Sequence, residues 1–244
     1  MGKKDRPLEV LVTGAGRGIG RAIALRFAAE GARVALAART RLEIESVARE
    51  VDDTGGSGLA IPMDVADLAS VERGVHAVLE ASGGILDVLV NNAGVFAIRP
   101  FPELSPATWY EHVAVNLNGP FHVTLLSYKG LEKSDRAHVF NISSVAGRQA
   151  FPGNAAYCAT KYGLRGFGDA LREDVAAAGI RVSTVYPGAT DTSIFDDVPG
   201  TWERESMNRP EDVAAVVWRA YDSPRGTDVA DLDVPPPGLL TPSD

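Results

Sequence analysis

The chain has a single cysteine, no excess of positive charge and no long apolar run. Because Cys158 stands alone, no disulfide can form within the chain, and we expect a reducing, cytoplasmic compartment. The formal net charge of −8 disfavours a nucleic-acid partner, which needs a basic face. No segment approaches the roughly 18 unbroken apolar residues of a membrane span, so no membrane partner is expected. None of the four histidines stands in a pattern of metal-ligating residues, which predicts that no metal is bound.

The apolar residues come in short runs that alternate with amphipathic stretches along all 244 residues. Runs that are apolar on both faces are typical of a parallel sheet covered by helices on each side. We therefore predict an α/β fold, a single doubly wound Rossmann-type domain over 1–244, with a seven-stranded parallel sheet and a ligand crevice beyond the strands' carboxyl ends. The predicted strands are Leu8–Thr13, Arg33–Ala38, GLAIPMDV at 58–65, Ile85–Val90, Ala137–Ser143, Ile180–Tyr186 and Asp228–Val234. The predicted helices are Ile19–Glu30, one ending near Asp53, Leu68–Ala81, Thr108–Leu131 with a kink at Gly119-Pro120, Ala155–Ala178 and Glu211–Tyr221.

A glycine-rich turn, TGAGRGIG, follows the first predicted strand and opens the first helix. It does not fit GxGxxG, but it fits GxxxGxG with Gly14, Gly18 and Gly20. Glycines at this point let the backbone approach a pyrophosphate and let the helix pack against the sheet. A tight strand-to-helix turn would use the same glycines, so it is the strand–turn–helix context that favours a dinucleotide phosphate site.

The end of the second predicted strand indicates which dinucleotide is bound. NAD-binding proteins usually place an acidic residue there for the adenosine ribose hydroxyls, but this strand runs into Ala37-Ala38-Arg39-Thr40. Arg39 is placed to meet a 2′-phosphate, and Arg17 in the glycine turn can join it. The alternative is that both are solvated surface charges. Two converging cations without an acid favour NADP(H) over NAD(H).

Tyr157 and Lys161 stand four residues apart in NAAYCATK, which puts them on one face of a helix. A phenol with a pKa near ~10 carries protons poorly at neutral pH unless a fixed cation lowers that pKa. The pair says little by itself, because tyrosine and lysine are common. Its meaning depends on the rest of the chain.

Further short motifs stand at the predicted strand ends. In chain order the set is TGAGRGIG, MDV with Asp64, NNAG at Asn91–Gly94, VNLNG with Asn116, NISS with Ser144, YCATK and Pro187-Gly188. Each is weak alone, but together and in this order they make the chain resemble the short-chain dehydrogenase/reductase family over nearly its whole length. Ser144 stands thirteen residues before Tyr157, the spacing of the family's serine–tyrosine pair, which selects Ser144 over Ser143.

The resemblance implies roles for four catalytic residues. Ser144 would polarise a substrate carbonyl, and Tyr157 would donate the proton in reduction or remove it in oxidation. Lys161 would bind the nicotinamide ribose and lower the pKa of the phenol. Asn116 would hold a water that relays protons to Lys161.

The resemblance also implies a shell of cofactor-binding residues at the strand ends. Taken singly, several of them have structural alternatives, such as a helix cap at Asp64 or a turn at Pro187-Gly188. The expected set is Gly14, Arg17, Gly18, Ile19, Gly20, Arg39, Asp64, Val65, Asn91, Ala93, Gly94, Tyr157, Lys161, Pro187, Gly188, Thr190 and Thr192.

The activity that the resemblance implies is hydride transfer between NADP(H) and a small carbonyl or secondary alcohol. A 3-oxoacyl-thioester reductase is an alternative, although the chain has TDVADLDVPPPG where many such members have TGxxxxVDGG. A non-catalytic NADP(H)-binding regulator is another, although binding alone does not need Ser144 or Tyr157.

Three expectations concern the rest of the chain. A substrate lid is expected over 192–208, with Phe96 and Phe151 as aromatic walls nearby. The proline-bearing residues 235–244 are expected to form a tail outside the sheet. Family resemblance also suggests a homodimer or homotetramer built on the helices Thr108–Leu131 and Ala155–Ala178.

Overall fold

Seven strands and seven α-helices form within the residues that the computed structural model describes, which are 6–196, 198, 202–227 and 229–236. The strands are β1 (Glu9–Thr13), β2 (Arg33–Ala38), β3 (Ser57–Pro62), β4 (Val88–Asn91), β5 (His138–Ile142), β6 (Arg181–Pro187) and β7 (Asp231–Val234). The helices are α1 (Gly18–Ala28), α2 (Arg41–Thr54), α3 (Leu68–Ala81), α4 (Pro106–Val113), α5 (Gly119–Glu132), α6 (Ala155–Val175) and α7 (Pro210–Asp222). Each predicted strand and helix therefore has an observed counterpart.

The strands form one parallel sheet in the order β3-β2-β1-β4-β5-β6-β7. The chain builds outward from β1 to β3 and then returns to build β4 to β7 on the other side. The strand order reverses between β1 and β4, where Val12 pairs with Val90. A crevice opens outside the carboxyl ends of the strands at such a reversal. The predicted doubly wound Rossmann-type fold is confirmed.

The core lies in two layers, one on each face of the sheet. Successive residues of a strand point to opposite faces, so Val10 and Val12 of β1 pack on one side and Leu11 on the other. The first layer includes Phe27 of α1, which packs edge-on against Trp218 of α7 at 5.3 Å between ring centroids. The second layer joins the sheet to α3 and α5. Burial on both faces holds the strand ends, and thus the crevice, in fixed register.

The long helical region predicted at Thr108–Leu131 is divided by one wider turn. A π-helical segment, Ala114–Asn118, separates α4 from α5, so the irregularity precedes the predicted kink at Gly119-Pro120. The physical cause is Pro120, whose missing N–H and bulky ring disfavour regular helical bonding to the preceding turn. Gly119 has a separate role, because an added Cβ would lie 3.0 Å from the side chain of Val65.

Several element boundaries differ from the predicted ones for local reasons. The third strand ends at Pro62 rather than at residue 65, because the Asp64 carboxylate accepts the Ala66 N–H and forms a turn. The fourth begins at Val88 rather than at Ile85, since the Leu86 N–H donates to Gly130 of α5 and not to a neighbouring strand.

Some predictions fall on residues outside the described set. These are Asp228 of the predicted seventh strand, residues 197 and 199–201 of the predicted lid, and residues 237–244 of the predicted tail. Among the described residues, no helix is both long and apolar enough to cross a bilayer. The same residues contain no group of three or more histidines, cysteines or carboxylates that could hold a metal ion.

Candidate active site

Tyr157 and Lys161 lie in the first turns of α6, on the face that meets the end of β5. Lys161 is 5% exposed, and its Nζ donates a hydrogen bond to the carbonyl oxygen of Ile142 at 2.9 Å. The same Nζ is 5.5 Å from the centroid of the Tyr157 ring. The four-residue spacing therefore places both groups together at the carboxyl end of the sheet rather than on solvent-facing helix surface.

Two neighbouring serines follow β5 and make different contacts. Ser144 lies beside the Tyr157 phenol and acts to lower its pKa, and its Oγ accepts the Ala146 N–H at 3.1 Å. Ser143 instead donates from its Oγ to the Lys161 carbonyl oxygen at 3.1 Å, which ties β5 to α6. The serine that faces the phenol is thus Ser144.

Asn116 lies in the π-helical segment and is 1% exposed. Its Oδ1 accepts the Val95 N–H at 2.8 Å, and its Nδ2 donates to the Val95 carbonyl oxygen at 2.9 Å and to Thr160 Oγ1 at 3.2 Å. The wider turn aims this amide inward, where it joins the loop after β4 to α6 one residue before Lys161. The observed contacts of Asn116 hold the loop after β4 against α6. The relay water implied by the resemblance stays a prediction.

Burial sets the pKa values of the two central groups. It raises the pKa of Tyr157 to about 12, and the neighbouring Ser144 hydroxyl acts in the opposite direction. Burial also lowers the pKa of Lys161 to about 8. Burial is the largest contribution to the pKa of the phenol in these residues by themselves, and the expectation that Lys161 lowers that pKa stays a prediction.

The glycine turn forms one wall of the crevice. Gly14 and Gly18 have φ values of +63° and +56°, which other residues adopt rarely. An added Cβ would lie 2.8 Å from the Ala93 Cα at Gly14, and 3.0 Å from the Thr192 side chain at Gly18. At Gly20 an added Cβ would collide with the Gly14 carbonyl oxygen, so that glycine packs α1 against the turn. The turn is therefore a cradle that a side chain would fill.

One continuous cleft of about 250 Å³ joins the glycine turn to Tyr157. The predicted site residues that line it are Gly14, Arg17, Gly18, Ile19, Arg39, Asp64, Val65, Ala93, Gly94, Tyr157, Lys161 and Thr192. Residues that sequence reasoning did not place in the cofactor shell also line it, among them Gly16, Thr40, Glu43, Met63, Asn92, Val95, Val115, Ile142, Ser143, Ser193 and Ile194. Most are chain neighbours of a predicted residue, so the motifs located the strand ends better than the individual contacts.

A family model described as short chain dehydrogenase matches residues 9–201. The chain belongs to the short-chain dehydrogenase family. A sepiapterin reductase of Chlorobaculum tepidum is 34% identical over 234 residues, covering 93% of this chain and 95% of the reductase. The structure of an alcohol dehydrogenase from Thermococcus sibiricus, complexed with 5-hydroxy-NADP, superposes with a TM-score of 0.87 at 28% identity, covering 94% of this chain and 96% of that one. A metagenomic short-chain oxidoreductase in complex with NADP gives a TM-score of 0.80 at 33% identity, covering 93% and 96%.

Membership in the short-chain dehydrogenase family makes the protein an oxidoreductase. Some of the predicted site residues do not line the cleft. The predicted residues outside the lining are Gly20, Asn91, Asn116, Ser144, Pro187, Gly188 and Thr190. The Asn91 side chain points into the interior, where its Nδ2 donates to Thr124 Oγ1 and Asn141 Oδ1, both at 2.9 Å, so a cofactor contact of this residue stays a prediction. Its neighbour Asn92 lines the cleft instead.

The residues after β6 shape the backbone near the cleft. The Gly188 N–H donates to the Val234 carbonyl oxygen at 2.9 Å, and Thr190 Oγ1 donates to the Gly188 carbonyl oxygen at 3.0 Å. Thr190 is buried, and Pro187 ends the strand. These contacts position Thr192, the first residue of this stretch that reaches the cleft.

The β2 end of the cleft, formed by Arg17, Arg39, Thr40 and Glu43, holds a carboxylate that sequence reasoning missed. Strand β2 itself ends without an acid, but the first turn of α2 brings Glu43 beside Arg17, with 3.9 Å between Oε1 and Nη1. The available signal was its position three residues after Thr40, which precedes α2. The expected convergence of two cations without an acid is therefore incomplete.

Aromatic rings cover Tyr157 on the side of the predicted lid. Phe96 lies edge-on to Tyr157 with 4.7 Å between centroids, and Phe195 lies 5.7 Å from Phe96. The Trp202 ring in turn lies 4.8 Å from the Phe195 ring.

Arg204 stabilises this segment through hydrogen bonds to Asp191, Asp196 and the Thr192 carbonyl oxygen, each 2.8 Å. Phe151, the other expected wall, is exposed.

Proposed function

We propose that the protein is an NADP(H)-dependent carbonyl reductase or alcohol dehydrogenase with Tyr157 as general acid and base. One observation carries the proposal: Tyr157 and Lys161 line one end of a cleft that begins at a glycine cradle, with Lys161 Nζ 5.5 Å from the phenol ring and the Ser144 side chain beside the phenol. Dinucleotide binding alone does not need the serine or the phenol. This favours an enzyme over a non-catalytic regulator.

The residues of the cleft fit a dinucleotide. Gly14 and Gly18 leave room for a pyrophosphate against the backbone at the start of α1, where the helix dipole favours anions. Arg17 and Arg39 supply cations at the β2 end of the cleft, as a 2′-phosphate requires. The solved relatives complexed with NADP and 5-hydroxy-NADP support the choice of NADP(H).

The chain's own residues supply the acid and base chemistry of the proposed reaction. When bound, a reduced nicotinamide supplies the hydride that a carbonyl carbon receives. The Ser144 hydroxyl donates a hydrogen bond to the carbonyl oxygen, and Tyr157 gives that oxygen its proton, so that C=O becomes CH–OH. With its pKa raised to about 12, the phenol is protonated at neutral pH and ready to act in the direction of reduction. The ammonium of Lys161 stabilises the phenolate that remains.

The substrate proposed is a small carbonyl compound or secondary alcohol with apolar substituents. Phe96 and Phe195 cover Tyr157, and Ile194 lines the cleft beside them. The segment around these residues serves as the substrate lid over 192–208. A 3-oxoacyl thioester is the alternative substrate within the same chemistry.

We further propose that the protein acts in the cytoplasm as a homodimer or homotetramer. Exposed apolar side chains on α5 and α6 support self-association, among them Phe121, Leu125 and Tyr162. The buried free thiol of Cys158 is compatible with a reducing compartment. Sedimentation measurements on the purified protein test the oligomeric state.

The experiment that tests the function is a panel of ketones, aldehydes, secondary alcohols and acetoacetyl thioesters, followed at the absorbance band of reduced nicotinamide. We expect NADPH oxidation with at least one class of simple carbonyl. Turnover restricted to thioesters would favour the 3-oxoacyl alternative. Absence of turnover in both directions, with intact cofactor binding, would favour the regulator.

A further inference from the structure

The β2 end of the cleft combines two cations with one carboxylate. The side chain of Arg17 is 68% exposed and that of Glu43 is 39% exposed, so the 3.9 Å pair between them is loose and open to solvent. Arg39 is exposed as well, and within the described part of the chain its guanidinium forms no ion pair. A ligand phosphate entering here meets Glu43 together with the two arginines.

Glu43 is fixed toward the glycine turn by its backbone and its surroundings. Its N–H donates to the Thr40 carbonyl oxygen at 3.1 Å, which closes the first turn of α2. A Cβ added at Gly16 would lie 2.7 Å from Glu43 Oε2 and 3.0 Å from its Cβ, so the carboxylate lies directly against that glycine. The side chain thus points along the cleft wall.

No other charged side chain of α2 lines the cleft. Arg41 pairs with Glu45 at 2.6 Å on the exposed side, and Glu50 pairs with Arg21 of α1. Neither pair lines the cleft. The carboxylate that an incoming nucleotide meets beside Arg17 is therefore that of Glu43.

We propose that Glu43 sets coenzyme selectivity, a proposal that rests on the function proposed above. Its carboxylate repels a 2′-phosphate and accepts a hydrogen bond from an adenosine ribose hydroxyl. These two effects act in the same direction and offset part of the preference that Arg17 and Arg39 create. The protein therefore accepts NAD(H) as well as NADP(H), with a preference for NADP(H) smaller than two arginines alone would give.

The size of the effect follows from the exposure of the group. A solvent-exposed charge pair is screened, so removing the carboxylate should strengthen binding of a 2′-phosphate by roughly three- to tenfold. Loss of the acceptor should weaken binding of an unphosphorylated ribose by about two- to fivefold. The ratio of the two affinities should consequently rise by about tenfold.

Calorimetric titration of the full-length protein with adenosine 2′,5′-bisphosphate and with 5′-AMP tests this, because the ligands differ in the 2′-phosphate alone. Glu43→Gln should raise the affinity ratio toward the bisphosphate by about tenfold. Glu45→Gln is the matched control, with the same change of charge on the same helix but outside the cleft, and it should leave the ratio unchanged. Gly16→Ala, which displaces the Glu43 carboxylate without removing it, should shift the ratio in the same direction as Glu43→Gln.

Two results overturn the proposal, and they are distinguishable. If the unmodified protein binds both ligands but Glu43→Gln gives the same ratio as Glu45→Gln, Glu43 does not select the coenzyme and dinucleotide binding stands. If the unmodified protein binds neither ligand, the proposed function fails and the selectivity proposal with it. Thermal melting of each variant, monitored by circular dichroism, confirms that the compared proteins are folded.

Discussion

The Nζ of Lys161 donates a hydrogen bond to the carbonyl oxygen of Ile142 at 2.9 Å, which holds the Lys161 ammonium at the end of β5. This bond ties the lysine to the sheet instead of to a carboxylate. With no carboxylate contributing to its shift, burial lowers the pKa of Lys161 to about 8. The residue that the mechanism needs in charged form is thus close to losing its proton under mildly alkaline conditions.

The rate of carbonyl reduction should therefore fall on the alkaline side. Lys161 is an ammonium below its pKa and neutral above it, while Tyr157, with a pKa of about 12, stays protonated throughout that window. We expect kcat/KM to be level up to about pH 8 and then to fall by up to about tenfold per pH unit. Steady-state kinetics across this range check the prediction.

The control for that profile is Lys161→Arg. A guanidinium keeps its charge across the whole range, so the variant should be slower but should lose the alkaline fall. A wild-type rate that stays level well above pH 8, or an unchanged fall in Lys161→Arg, would contradict the assignment.

Arg39 should contribute to NADPH binding and little to NADH binding. It lines the cleft with its guanidinium unpaired among the described residues, and a charge-assisted hydrogen bond to phosphate is worth about 1.5–3 kcal/mol. Arg39→Ala should raise the KM for NADPH by roughly tenfold or more and leave that for NADH nearly unchanged.

Arg41→Ala is the comparison for Arg39→Ala, since Arg41 is exposed, pairs with Glu45 and does not line the cleft. It should leave both Michaelis constants near their original values. Equal increases for NADPH and NADH in Arg39→Ala would show that Arg39 does not contact the 2′-phosphate.

Acid should destabilise the fold through His138, which is fully buried in β5. Ser183 Oγ donates to the Val229 carbonyl oxygen, so it accepts from His138 Nε2 at 2.8 Å. Nδ1 has no hydrogen-bond partner among the described residues. A second proton on His138 would therefore be buried without a hydrogen-bond partner among the described residues. Burial holds the pKa of His138 well below 6.5, and the positive charges of Arg181 and Arg225 lower it further.

The lowered pKa of His138 determines whether the free energy of unfolding rises or falls with pH. Below about pH 6.5 the unfolded chain binds a proton at His138 that the folded chain refuses, so the free energy of unfolding falls by up to about 1.4 kcal/mol per pH unit. Urea unfolding near pH 7.5 and near pH 5.5 measures the difference. His138→Gln should reduce it, whereas His76→Gln, at an exposed position, should not. Equal pH dependence in both variants would remove His138 as the cause.

The sequence was sufficient for the sheet but not for every residue at its edge. Buried strands are apolar whichever strand lies beside them, so their runs could be located without knowing the partners. At the end of β4, however, Asn91 and Asn92 are both polar and adjacent. Which of them faces the cleft depends on Asn141 of β5, a partner 50 positions away that binds Asn91. No local pattern contains that information.

Electrostatic properties were harder to predict than positions. The Tyr157–Lys161 spacing correctly indicated that the two groups share a helix face, but the direction of the phenol's pKa shift depends on burial, which appears only when the helix packs against the sheet. Glu43 was missed for a related reason, because its place beside Arg17 results from how α2 packs on the glycine turn.

The most direct test of the account compares Tyr157→Phe with Tyr162→Phe, two substitutions that each remove one hydroxyl from α6. Tyr162 is exposed, whereas Tyr157 lines the cleft with Ser144 beside its phenol. We predict that Tyr157→Phe binds NADPH normally but reduces carbonyls at least roughly a hundredfold more slowly, while Tyr162→Phe matches the unmodified protein. Normal turnover in Tyr157→Phe would contradict the assignment of the phenol as the proton donor.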